Sequence, residues 1–411
     1  MKNKIFFCLN FLIGLLFVFP LFKENISTLF IILTTLFTIV YLVYNKIHFT
    51  FRLKHTLYII PFLIILTTNI FAVNSDFDIK NVSKSLMFLI FPIIFINIPS
   101  PLFKTLESHY LYLFKVACLV ICFFYIGSFL MLYSINDFFA ESFNESIFRK
   151  YVYNQISIFK IHPTYFSLFL NLGIVHSIVK MRNEKLYLNL FFFLFFTLMI
   201  LLLSSKIMIV FSVFSTVFIL IFKNQSQYKK YFIVMILTFF IGSVFVLPGI
   251  KSRFIESYND FKNPPRGLYF NSTNIRSSIY ECSLTILKEN YIKGVGFSNV
   301  QKELNNCYKL NYDSSFYENH DYLTHNYFLY IFIGSGLLGF LFFIIYLLVL
   351  VKKCIQINNI ILNITFLNCI ILCFVEDFLY RHYGLFFFNL IFFSYLKFYE
   401  HNLQENALNE Q

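Results

Sequence analysis

Two kinds of side chain in this sequence suit chemistry on a charged group. Arginine forks two hydrogen bonds onto phosphate oxygens, and histidine moves a proton near neutral pH. Three arginines and His320 fall in a polar stretch, residues 250–324, of a chain that is otherwise nearly all apolar, and His325 stands just past its end. The start of the stretch holds Lys251, Arg253, Lys262, Arg266 and Arg276 against only Glu256 and Asp260. Such a cationic excess beside a membrane suits a phosphate or diphosphate, although a solvated charged face or an anchor for lipid head groups would use the same residues. The end of the stretch reads Thr324-His325-Asn326-Tyr327, which puts His325 at the mouth of the next apolar run. His320 precedes it by five residues, not the four of a helical zinc pair, so no metal site is expected.

The elements that must position these groups follow from pattern. Ile275, Ile279, Cys282 and Ile286 recur at helical spacing, which predicts a helix over 272–288 with Ser272, Thr273 or Asn274 as its cap. Arg276 then projects from its first turn, and Tyr280 follows one turn later. Gly294-Val295-Gly296-Phe297 turns the chain back. Elsewhere, Lys206 opens one apolar run and His162 opens another, while Glu376, Asp377, Arg381 and His382 line a late turn in which Asp377 and Arg381 can pair. Ionisable groups at membrane depth are costly, which makes these residues functional suspects, with snorkelling and structural ion pairs as the plainer alternatives.

Hydrophobic residues form 58% of the chain and charged ones 13%, values that exclude an ordinary soluble domain. Apolar runs of bilayer length fall at about 5–22, 26–44, 56–73, 83–98, 110–133, 158–179, 186–203, 205–222, 231–249, 325–351, 357–375 and 382–399. The expectation is an all-α polytopic membrane protein of about twelve transmembrane helices. It divides into helices over 1–249, a long loop over 250–324, and closing helices with a short tail over 325–411. Lys and Arg in alternate short loops number fifteen on one side and eight on the other, which places both termini in the cytoplasm and the long loop outside. Cys282 and Cys307 share that loop and can pair in an oxidising compartment.

Other strings carry less. The net charge of +12 is spread through membrane loops with no basic aromatic stripe, so nucleic acid is not expected. Gly334-x-Gly336-x-x-Gly339 lies inside an apolar run without the strand that a dinucleotide fingerprint needs; Ser335 and Gly339, four apart, instead let a neighbouring helix approach. Asp76-Phe77-Asp78 offers a divalent-ion site for a metal-dependent glycosyltransferase, but an isolated Asp-x-Asp is common by chance.

The ordered series of Arg276-x3-Tyr280, an apolar helix, Gly294-x-Gly296-Phe297, then His325-Asn326-Tyr327 and a Gly-rich span resembles the O-antigen ligase and O-antigen polymerase family. The resemblance implies a GT-C-like glycosyltransferase in a bacterial inner membrane. It would move a glycan from an undecaprenyl diphosphate carrier to a lipid, polysaccharide or protein hydroxyl on the periplasmic side. It implies no metal and no cofactor. By the same resemblance Arg276 matches the family's loop arginine and His325 its histidine, and both are expected to be catalytic. From charge and position Arg253, Lys206 and Arg266 are expected to hold the diphosphate, with His162, Tyr280 and Asn326 in support. Lys206 departs from the Ser-Arg common in the family, and Tyr280 stands where Trp is frequent. A lipid-linked glycan flippase without transferase chemistry is the alternative, although the one-sided polar residues do not suggest two related halves.

Overall fold

The computed structural model describes residues 2–71, 77–142, 145–181, 186–222, 258–260 and 263–409. The expected span at 231–249, together with Arg253 and Asp76, lies outside the described residues. Each of the other expected spans carries a helix. These are α1 (Lys2–Phe17), α2 (Glu24–Tyr44), α3 (Ile60–Phe71, entered through a 3-10 segment Leu53–Ile59), α4 (Ile79–Ser85) running into α5 (Met87–Asn97), and α6 (Leu111–Leu130). A two-residue hairpin at Glu141–Ser142 and Glu145–Ser146 and the short α7 (Ile147–Lys150) come next. Then follow α8 (Pro163–Lys180), α9 (Leu186–Leu202) and α10 (Lys206–Phe222). The long loop supplies α11 (Asn274–Asn290) and α12 (Val300–Asn311), and the chain closes with α13 (Tyr327–Ile357), α14 (Ile360–Leu372) and α15 (His382–Asn409). Among the described residues five helical stretches are long and apolar enough to cross a membrane, and four more apolar helices are shorter. Length and composition of these helices are those of a helical membrane protein.

The chain divides into two compact units that interleave along the sequence. One comprises residues 1–37, 101–256 and 359–368. Its centre is α8, where every residue from Pro163 to Val179 is buried. Gly173 makes this possible: a Cβ there would lie 2.5 Å from the Phe196 ring on α9. In lipid the tails are as apolar as the side chains, so helix association rests on this close fit and on polar contacts. Buried Lys115 of α6 supplies one, with the Ser177 hydroxyl and the Asn189 amide oxygen each 3.2 Å from its ammonium.

The other unit comprises residues 38–100, 257–358 and 369–411 and contains the long-loop helices. Its aromatic core joins α5 to α15, with Phe91 packed edge-on to Phe386 at 5.3 Å. The predicted stripe of α11 is buried throughout. Thr273, one of the three residues expected, stands at the N-cap, but its side chain makes no cap bond and Asn271 supplies the acceptor. Asn271 accepts from the amides of Thr273 and Asn274, at 2.9 and 3.1 Å, while its own amide donates to the Asn274 side chain. Cys282 on α11 is bonded to Cys307 on α12. This fastens the two loop helices together.

The Gly-rich span is not one continuous helix. Gly336 has φ 67° and ψ −171°, and α13 breaks there. The broken backbone is satisfied by the Gly294-Val295-Gly296 turn: the amides of Val295 and Gly296 donate to the carbonyls of Ile333 and Gly334, at 2.8 and 3.0 Å, and the Leu337 amide donates to the Tyr291 carbonyl at 2.8 Å. Backbone here lies against backbone. A Cβ on Gly294 would stand 2.6 Å from the Gly336 nitrogen. Ser335 and Gly339 lie on the side of α13 that faces α3, as expected of small residues four apart, with Gly339 against Ile64.

Candidate active site

In the unit that holds the loop, the chain after α14 runs through Glu376 and Asp377 before turning into α15, and these two carboxylates organise the site. Glu376 accepts from two cationic or potentially cationic groups. Arg276 Nη2 lies 2.5 Å from one of its oxygens, and His325 Nδ1 lies 3.2 Å from the other. The side chain of Glu376 is 11% exposed, against 38% for Arg276 and 27% for His325. The carboxylate is therefore the floor, and the guanidinium and imidazole keep open edges above it. Arginine has five N–H donors, so an ion pair through Nη2 leaves others for a ligand.

Asp377 fixes the backbone. Its two oxygens accept from the Thr324 hydroxyl at 2.6 Å and from the His325 amide at 2.9 Å. His325 itself adopts φ 43°, a left-handed conformation that a non-glycine residue holds only under such constraint. Burial pushes the Asp377 carboxyl above the ordinary carboxylate range, against the opposing pull of His325 and the Thr324 hydroxyl. The expected pair between Asp377 and Arg381 does not form; Asp377 is taken up by the 324–325 turn, and Arg381 is exposed.

The loop helices hold the histidine segment from the other side. On α12, Gln301 and Tyr308 both donate to the Tyr322 carbonyl at 3.1 Å, and Asn305 donates to the Asp321 carboxylate at 2.9 Å. On α11, the Tyr280 hydroxyl lies 3.4 Å from both the His325 and Phe374 carbonyls. Burial raises the Tyr280 phenol above its ordinary range, so it stays a neutral donor. Asn326 caps α13, accepting from the amides of Phe328 and Leu329 at 3.0 and 3.1 Å. It is a backbone partner and not part of the open edge.

The remaining expected residues stand elsewhere. Arg266 is exposed on a tight turn closed by bonds between Arg266 and Tyr269, and it makes no ion pair with Glu376 or Asp377. Asp78 caps α4 through the amides of Lys80 and Asn81, so its carboxylate is already engaged. Lys206 and His162 belong to the other unit, where they open α10 and α8. There the Ser205 hydroxyl donates to that of Thr164 at 3.4 Å, joining the two helix starts, and Arg149 donates to the Leu203 carbonyl at 2.8 Å. Arg149 was not singled out in the sequence. Its only signal was a pair of cations, Arg149-Lys150, in the second longest loop.

Sequence reasoning also left Glu376 without a role. The signal was present as two adjacent acids between apolar runs, but its partners lie 100 and 51 residues away.

A comparison with curated proteins returned no match. A comparison with protein families matched residues 190–344 to the model described as O-antigen ligase. The matched segment takes in Lys206, Arg276, the Gly-x-Gly-Phe turn, His325 and the break at Gly336, ends within α13, and stops short of Glu376 and Asp377. Over residues 190–344 the chain is therefore similar to the O-antigen ligase family, and that segment lies within a helical membrane protein.

Proposed function

We propose that this protein transfers a glycan from a polyprenyl diphosphate carrier, of the undecaprenyl kind, to an acceptor hydroxyl at the extracytoplasmic face of a bacterial inner membrane. The observation that carries the reading is the shared carboxylate: one buried Glu376 holds both an arginine and a histidine with their open edges outward. With Nδ1–H donated to Glu376, the neutral imidazole presents Nε2 as an acceptor. Nε2 takes the proton of the acceptor hydroxyl as its oxygen forms a bond to the anomeric carbon. The bond from that carbon to the diphosphate oxygen breaks, and Arg276 stabilises the negative charge that develops on the leaving diphosphate. Glu376 balances the imidazolium formed in the step.

Lys206 opens α10 and His162 opens α8, with Arg149 bonded to the Leu203 carbonyl between them in sequence; on this reading that end of the unit serves an anionic group of donor or acceptor. Arg253 and Arg266 remain proposed diphosphate contacts on charge alone. The bonded pair Cys282 and Cys307 supports an oxidising compartment for the loop, in agreement with the Lys and Arg distribution. On this reading the partners are the lipid-linked glycan, a lipid or polysaccharide acceptor, and the bilayer itself, within a GT-C-like helical frame.

The test is transfer by purified protein in nanodiscs, supplied with a synthetic polyprenyl diphosphate glycan and acceptor, with release of the carrier diphosphate followed alongside. His325→Ala and Arg276→Ala should each lower the rate about 10²-fold or more. Undiminished transfer in both variants would remove the assignment. Movement of the carrier across the bilayer without any transfer would favour the flippase.

A further inference from the structure

A second site lies away from Glu376, where α3 faces the broken part of α13. An apolar groove of about 820 Å³ opens there. One wall is a single face of α3, with Ile60, Ile64, Thr67 and Phe71 at helical spacing. The other is Ser335, Gly339 and Phe342 of α13, whose small members leave the space between larger neighbours unfilled. The Ile292–Gly296 turn forms its end.

Length, setting and charge narrow the occupant. The wall begins at Thr56 and Leu57 on the 3-10 segment, and its helical part alone, from Ile60 to Phe71, rises about 16 Å, no shorter than the roughly 15 Å depth of one leaflet. Both walls belong to stretches apolar enough to cross a membrane. At the turn, Tyr291 and Ile292 are 51% and 61% exposed and Lys293 is exposed beside them. An aromatic, an aliphatic and a cation in succession is the composition of a membrane interface. Lys293 lines the groove and makes no ion pair among the described residues. Along α11, Arg276 and Asn290 are about 21 Å apart, so an anion held by Lys293 is not the diphosphate at Arg276.

We infer that this groove binds the acyl chain of an anionic phospholipid, with Lys293 on its phosphate. The site goes beyond the transferase reading and stands without it, because its test needs no turnover. Native mass spectrometry of the full-length protein, titrated in detergent with phosphatidylglycerol or phosphatidylcholine, gives the readout. Wild type should retain phosphatidylglycerol in preference. Thr67→Trp, which fills the groove, should lower its retention at least about 5-fold. Lys293→Glu, which leaves the groove open, should abolish the preference while keeping phosphatidylcholine, and it decides the matter alone if the tryptophan variant does not fold. Equal retention of both lipids by wild type, or no change in either variant, overturns the proposal. So does retention of a polyprenyl phosphate in place of phosphatidylglycerol, which would assign the groove to the carrier's tail.

Discussion

Glu376 connects the two groups that the sequence marked for chemistry, and its charge and its shape can be separated. Glu376→Gln keeps the volume but holds neither Arg276 nor an imidazolium as an ion pair. Transfer should fall about 10²-fold through kcat, with KM changing less. A variant that loses only affinity would show that Glu376 orders the loop and does not serve the reaction. Arg276→Lys should retain more activity than Arg276→Ala but less than wild type, because the charge remains and the fork is gone. Asp377 makes a pH prediction of definite sign. Its pKa is raised above the ordinary 3.8, so the folded state binds a proton that the unfolded state has already released. That contribution to stability is complete at acid pH and is lost as pH rises through the folded value. Melting curves of wild type and Asp377→Asn between pH 7 and 4 should therefore diverge in favour of wild type as pH falls. A constant difference would contradict the assignment. Arg276 and His325 were legible because their types, the cationic company of one and the boundary position of the other stand out locally. Glu376 was not, because its meaning depends on chain segments brought together from far apart in sequence.

At the level of elements, the helices read well from apolar periodicity, and so did the buried stripe of α11. What the pattern hid was the interruption in α13. Gly334-Ser335-Gly336-Leu337-Leu338-Gly339 is as apolar as a continuous span, and hydropathy does not report a positive φ. The break exists because the 291–296 turn meets its freed amides and carbonyls, a partnership that only the folded loop supplies. Gly336→Ala should consequently cost about 2–4 kcal/mol, combining left-handed backbone with a Cβ driven into the Ile292 carbonyl. Gly127→Ala in α6 is the matched control: a Cβ there meets nothing within 4 Å, so the change should be neutral or stabilise by about 0.5–1 kcal/mol. Thermal unfolding of both in the same detergent checks the contrast, and equal midpoints would mean that the break is not held as described.

For the whole molecule, the loop's side of the membrane is the deciding property, and exposed Leu310 on α12 gives a direct probe. In intact spheroplasts a cysteine introduced at Leu310 should react with a membrane-impermeant maleimide, whereas one introduced at Gln356, beyond Lys352 and Lys353, should stay protected until lysis. Labelling in the reverse order would invert the topology. Replacing both Cys282 and Cys307 with serine should cost about 2–4 kcal/mol while leaving the Glu376 contacts in place. The interlock between the 291–296 turn and the 333–337 break also bears on domain exchange. A donor loop grafted with its own glycine turn onto a host whose membrane helix runs unbroken would find side chains where it needs bare backbone, and unpaired amides on both sides of the joint. Chimeras should succeed when 291–297 and 333–337 travel together as one cassette, and fail when the cut falls between them, whatever sugar specificity is being transplanted.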